Sequence, residues 1–389
     1  MSMDTGSAFL DDLDLTAVES IRRVAEEILA PTAQDTDAHA TFPRTQLGAL
    51  ASIGVMGMNL PSTWGGPGIS SAALAACVEA IAGACASTAS AVTAHFLATD
   101  AILIGGDDTL RQKYLPVAAA GTHLGAFALT EPRAGSNVAD MRCLATPTGG
   151  GYHIQGVKHF ISNGGVADFI VVFAITDPSA GNRGITAFVL DKGTPGLVAS
   201  APEPTMGLRG GHIFELSFDC QVSAEQRVGV EGSGFRTAMR VLDNGRIEVA
   251  AMCLGIGQAA LDAAIGWLKS RAVGGRPLAE YQGIQWMLAD MATELRAARL
   301  LTQDAAQKRS GHGRYSLEAS MAKLYASEAA GRVADRALQM HGGYGYTAGL
   351  ALERHVRDLR VMRIYEGSSE IQRNIIARSM INGHAIRSL

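Results

Sequence analysis

The sequence predicts an α+β chain in three consecutive parts: helical, then β, then helical. Three observations predict it. Residues up to about His123 are rich in Ala and carry apolar residues at helical spacing. From Leu124 to Val230 that period gives way to short β-branched and aromatic runs separated by turn clusters. After Gly232-Ser233-Gly234, long helical runs return. The boundaries expected are 1–123 for an N-terminal α-helical domain, 124–232 for a central antiparallel β-domain and 233–389 for a C-terminal α-helical domain.

In the first part, Val18, Ile21, Val24, Ile28 and Leu29 fall on one face of a helix over residues 16–30. Residues 45–53 and 71–103 read the same way, and the Gly- and Pro-rich stretch 61–68 is turn chemistry between helices. In the central part, residues 152–157, 169–175, 184–190 and 214–218 read as strands. Turns are expected at 147–151, at Asp177-Pro178 and at Gly181-Asn182. No helix intervenes, so the pairing is expected to be mainly antiparallel. In the last part, helices are expected over 235–271, 281–310, 316–341 and 369–381.

The chain has 389 residues, enough for two or three domains. Its net charge is −4 and it has no long basic run, which argues against nucleic acid as a partner. No apolar stretch is expected to span a bilayer, because Glu79, Thr88, His95 and Asp100 interrupt the longest candidates. The N terminus is acidic (Asp4, Asp11, Asp12, Asp14) and shows no signal peptide. Cys77, Cys85, Cys143, Cys220 and Cys253 are scattered in apolar context, as free thiols in a reducing cytoplasm would be. No spacing suggests a metal site.

Four blocks carry the chemistry. They are 129–136 (Leu-Thr-Glu-Pro-Arg-Ala-Gly-Ser), 158–164 (Lys-His-Phe-Ile-Ser-Asn-Gly), 339–343 (Gln-Met-His-Gly-Gly) and 364–373 (Ile-Tyr-Glu-Gly-Ser-Ser-Glu-Ile-Gln-Arg). In this order and spacing the chain resembles the acyl-CoA dehydrogenase family of flavoproteins, from about Leu13 to Arg378. The resemblance implies a β-barrel-like central domain and a C-terminal four-helix bundle. It also implies FAD as cofactor, an acyl-CoA thioester as substrate, an electron-transfer flavoprotein as electron acceptor and a homotetramer.

The resemblance makes Glu366 the base that removes the α-proton, a task that suits a carboxylate whose pKa a water-poor pocket has raised. Some relatives carry the base just before the Arg of 243–246. Here that residue is Gly245, which has no side chain to act, and Glu248 lies on a different helix face from Arg246. Asp243, Arg246, Ser136 and Gly367 match substrate contacts, although Asp243 and Arg246 also read as a surface i,i+3 ion pair.

By the same resemblance Phe127, Leu129, Thr130, Gly135 and Ser136 line the flavin, with Phe160, Ile161 and Ser162 against its ring. Arg271, Gln282 and Gln339, Met340, His341, Gly342 and Gly343 hold the ADP half across a subunit interface, and Ser368, Ser369 and Glu370 complete the set. Asn137 and Gly274 depart from the family's usual Asp and Phe. Tyr344, Tyr346 and His341 read more simply as packing residues. The substrate expected is a short or medium acyl chain, possibly branched, with His95 and Phe96 shortening the pocket if they point inward. Alternatives on the same fold are an acyl-CoA oxidase, a flavin monooxygenase, a nucleic-acid-binding relative, or a non-oxidative β-elimination.

Overall fold

The computed structural model describes residues 10–311 and 313–383; Asp4 lies outside them. Helix α1 (Asp12–Val24) starts where the Asp11 carboxylate accepts the Asp14 N–H. It passes through a π-helical turn at Ala25–Leu29 into α2 (Ala30–Ala38), burying Val18, Ile21 and Leu29, with Val24 and Ile28 half-buried. Helix α3 (Arg44–Ala51) follows.

The single helix expected over 71–103 is two, α4 (Ser71–Ala84) and α5 (Ala86–Gly105), separated by Cys85 with extended backbone. Helix α5 is buried on every side from Ala86 to Ile102. Its apolar pattern therefore has no phase that would betray a change of axis. Helix α6 (Asp108–Ala119), capped by Asp107, closes the first part.

The central part holds strands β1 (Gly125–Ala128), β2 (Leu144–Thr148), β3 (Gly151–Ser162) and β4 (Phe169–Ile175), then β5 (Ile185–Asp191), β6 (Leu197–Ala199), β7 (Ile213–Ser223) and β8 (Arg227–Val228). They form one sheet in the order β6-β7-β3-β2-β4-β5-β8, with β1 beside β4. Pairing is mainly antiparallel; β1 and β2 run parallel to β4. A bulge in β3 between Lys158 and Ile161, with Phe160 at φ 59°, turns the Phe160 ring outward.

Helix α7 (Gly234–Ser270) begins the last part, followed by the hairpin β9 (Ala272–Val273) and β10 (Arg276–Pro277). Gly274 and Gly275 both take positive φ in that hairpin, a turn that suits glycine at 274 where the family usually carries Phe. Then come α8 (Gln282–Arg309), α9 (Ser316–His341), α10 (Gly343–Tyr346), α11 (Ala351–Met362) and α12 (Ser369–Ile381).

One apolar core joins α1, α4, α5 and α7 to α8, α9 and α11, and two smaller ones lie against the sheet. Contrary to expectation, α5 and α7 are each long and apolar enough, by length and composition, to cross a membrane. Their apolarity serves the interior: 83% and 67% of the relevant windows are buried within the fold. The five cysteines are free and buried.

Candidate active site

Glu366 sits in the loop between α11 and α12 with φ 52°, followed by Gly367 at φ 93°. Buried donors hold that loop. Lys323 Nζ of α9 donates to the Gly367 carbonyl at 2.8 Å, and Gln372 Nε2 of α12 donates to the carbonyls of Glu366 (3.1 Å) and Gly367 (2.9 Å). Ser368 caps α12, and Ser369 Oγ donates to Glu328 at 2.7 Å. Glu370 is exposed. Lys323 lies outside the four blocks and Gln372 lies within the last of them without an assigned role, so sequence reasoning missed both contacts.

The Glu366 carboxyl lies against α7 at Gly245. A Cβ at 245 would stand 2.2 Å from Glu366 Oε2 and 2.8 Å from Leu97 Cδ2 of α5. Only glycine allows that approach. Oε2 is buried with no hydrogen-bond partner among the described residues. Burial pushes the carboxyl up to about 7, against the opposing pull of Lys323 and Arg246.

Asp243 and Arg246 do form the i,i+3 pair, at 2.5 Å, but it is buried, not on the surface. Ser316 also donates to Asp243. The inward role expected of His95 and Phe96 does not hold. The His95 ring accepts the Gly125 N–H at 2.9 Å, reaches the Met56 carbonyl at 3.2 Å, and has its pKa lowered to about 4 by burial. Phe96 is core, and Leu97 is the α5 residue that meets the site. Glu248, set apart by its angle from Arg246, is buried one turn beyond Gly245 and pairs with Arg309 of α8 at 3.2 Å.

On the β side, the His159 N–H donates to the Thr130 carbonyl at 2.9 Å, so the two flanking blocks meet. Lys158, fully buried, bonds Glu131 (2.8 Å) and the Leu129 carbonyl (2.9 Å), fixing that junction. Phe160 is exposed and stacks on His159. The Thr130 and Ser162 side chains are half-buried; Gly135 and Ser136 are exposed. Leu129, Ile161 and Phe127 pack their side chains into the cores, which leaves mainly their backbone to a ligand. Asn137 precedes a short 3₁₀ turn without capping it. Asn163, beside Ser162, donates to the Ala91 carbonyl of α5 at 2.9 Å, so α5 backs both this block and Glu366.

A separate patch gathers at the ends of α7 and α9. The Arg271 guanidinium lies 5.9 Å from the Trp267 ring and 5.7 Å from that of Tyr344, and His341 stacks on Trp267 at 4.9 Å. His341 and Met340 are buried, whereas Gln282, Gln339, Gly342 and Gly343 are exposed. Tyr344 and Tyr346 are exposed as well, so neither is a core residue in this chain. Among the described residues no cluster of His, Cys, Asp and Glu is placed to hold a metal.

Comparison with known families gives the chain's class. Three models match in sequence: the acyl-CoA dehydrogenase N-terminal domain over residues 14–122, middle domain over 126–222 and C-terminal domain over 232–381. The chain belongs to the acyl-CoA dehydrogenase family. It is an oxidoreductase of that class.

Among relatives of this acyl-CoA dehydrogenase, acryloyl-CoA reductase (NADH) of Anaerotignum propionicum is 40% identical, over 92% of each chain. The short-chain specific acyl-CoA dehydrogenase of Clostridium acetobutylicum is 38% identical over 92% of this chain and 95% of its own. Butyryl-CoA dehydrogenase from Megasphaera elsdenii superposes with a TM-score of 0.94 at 38% identity, covering 96% of this chain and 99% of that one.

Proposed function

We propose that this chain oxidises a short acyl-CoA between its α- and β-carbons to the trans-2-enoyl-CoA, with FAD as cofactor and Glu366 as the base. One observation carries the reading. The Glu366 carboxyl is buried against Gly245, keeps one oxygen unpaired and has a proton affinity near neutrality. A base needs these properties to take a weakly acidic α-proton at physiological pH.

The residues present fit FAD. Among the described residues no hydrogen bond occupies the Thr130 or Ser162 hydroxyl, and the Phe160 ring faces outward beside them. Arg271 has aromatic neighbours and no carboxylate partner among the described residues, and a Cβ on Gly342 or Gly343 would meet open space. Thr130 and Ser162 would hold ring heteroatoms, with Phe160 packed on the ring. Arg271, Gln282 and residues 339–343 would hold the pyrophosphate and adenosine end. When bound, FAD supplies the acceptor for the β-hydrogen, which leaves as hydride.

The chain's own part is positional and acid–base. The loop bonds from Lys323 and Gln372 fix Glu366, Leu97 and Gly245 exclude water from its carboxyl, and Glu366 takes the α-proton. Among the described residues nothing accepts the Glu366 N–H, which leaves it to stabilise the developing charge on the thioester oxygen. The names of the short-chain and butyryl relatives support a short acyl group. Family membership supports an electron-transfer flavoprotein as acceptor and a tetramer built through the C-terminal helices.

Glu366→Gln tests the reading. It should keep its flavin and bind acyl-CoA, yet lose turnover by about 10³-fold, within the range general-base removal costs. Flavin bleaching by butyryl-CoA at the wild-type rate in this variant would place the base elsewhere.

A further inference from the structure

Helices α5 and α7 face each other antiparallel beside Glu366. Thr93 Oγ1 lies 3.7 Å from Met252 Sδ at one end of the seam, and Asn244 Nδ2 donates to Asp100 Oδ2 at 2.6 Å at the other. Leu97 and Gly245 sit between, with the Glu366 carboxyl against them. Tyr365 Oη, 3.9 Å from Met252 Sδ, closes the same side. Glu248 falls on this seam, one turn from Gly245 and one from Met252.

Glu248 is 1% exposed, and only one of its carboxyl oxygens is satisfied. Oε1 accepts Arg309 Nη1 at 3.2 Å; Oε2 is buried without a partner. Among the described residues no hydrogen bond reaches it, although Arg246 Nε and Ser320 Oγ are also buried without partners. Asp100 takes Asn59 at 2.7 Å, Asn244, and Arg309 Nη2 at 3.7 Å, and Tyr315 of the α8–α9 link donates to Asn244 at 2.5 Å. Lys323 is committed to the Gly367 carbonyl, and Arg246 pairs with Asp243. A buried oxygen left unpaired costs about 1–3 kcal/mol, which a ligand group bonding it would recover.

We propose that Glu248 determines acyl specificity, its free carboxyl oxygen bonding a hydroxyl carried by the far carbon of a short acyl chain. This rests on the dehydrogenase reading and adds its substrate class: a short hydroxyacyl-CoA in place of a plain alkyl one. Three residues along α7 advance about 4.5 Å, close to the reach from an acyl α-carbon to a substituent two carbons on. Burial, reinforced by Asp100 and Glu366 against the pull of Arg309, raises the Glu248 carboxyl to about 8. Its protonated form, which burial favours, can donate as well as accept.

The test uses the flavin-loaded enzyme with an artificial acceptor and two substrates differing only by hydroxyl against methyl, γ-hydroxybutyryl-CoA and pentanoyl-CoA. Wild type should favour the hydroxylated ester in kcat/KM by at least about tenfold, because a site built to bond a hydroxyl rejects the analogue without one. Glu248→Leu should reverse that order and Glu248→Gln should keep it. If the leucine variant does not fold, the wild-type binding ratio for the two esters, read from flavin difference spectra, shows the same preference. A wild type that favours pentanoyl-CoA, or an equal loss on both esters in Glu248→Leu, overturns the proposal. Wild type that oxidises butyryl-CoA but ignores the hydroxyl overturns it and leaves the dehydrogenase reading standing. Failure of every acyl-CoA to bleach the flavin sinks both.

Discussion

At Glu366, a single carboxyl sets the pH at which the proposed reaction starts. Its ionised form is the base, so kcat/KM should rise with pH through about 7, the value burial gives it. A pH profile of the free enzyme checks this; a limb in the ordinary carboxylate range would remove Glu366 from the role. Lys323 holds that value down and is itself lowered to about 8 by burial. Lys323→Met should therefore move the acid limb upward and loosen the loop it ties through Gly367. Glu366 stands out in the sequence as the candidate base because its Tyr-Glu-Gly-Ser surroundings are distinctive. The contacts of Lys323 and Gln372 were not legible, since neither residue shows in the sequence that the fold brings the Glu366–Gly367 carbonyls to it.

Between elements, the contact that matters is α5 and α7 against the Glu366 loop. Gly245→Ala places a methyl where the Glu366 carboxyl now lies, so the carboxyl must shift. Displacements of about 1 Å in a catalytic group can cost ~10²-fold. We expect kcat for butyryl-CoA to fall by that order with flavin content unchanged, measured by stopped-flow bleaching. Leu97→Trp should shift the acyl-chain optimum towards shorter esters, whereas Phe96→Leu should leave it in place and lower stability, because Phe96 is core. Here the sequence was half legible. The long helices and four main strands announce themselves by period, but helix 71–103 hides its break. Which of His95, Phe96 and Leu97 faces the site depends on the rotation of a helix buried on all sides.

Across the whole molecule, buried carboxyls bias stability with pH, and among the described residues Asp100, Asp243 and Asp358 are raised by burial as well as Glu366 and Glu248. Burial raises Glu366 to about 7 and Glu248 to about 8. Between the ordinary carboxyl range and those values the folded chain binds more protons than the unfolded one. Their contribution therefore weakens stability as pH rises through that window. Thermal melts should show Glu366→Gln gaining on wild type at pH about 8 and the gain shrinking towards pH about 5. The Arg271 patch, with Trp286, Tyr344 and Tyr346 exposed near it in sequence, is the surface the proposed tetramer would cover. If FAD spans that interface, dilution should release flavin as mass falls, and Arg271→Ala should do so at higher protein concentration. The three-part architecture was legible from changes of period alone. The parallel placement of β1 beside β4 was not, because a four-residue strand carries no pairing signal.

The left-handed backbone at Glu366 has a consequence for heredity. A residue with a Cβ sits there at a cost of about 1 kcal/mol that glycine avoids, and its buried carboxyl adds to the burden. Glu366→Gly should therefore yield an inert protein that outlasts the wild type on heating. A lineage selected for heat tolerance alone would drift away from glutamate here. Only continued demand for turnover would keep it.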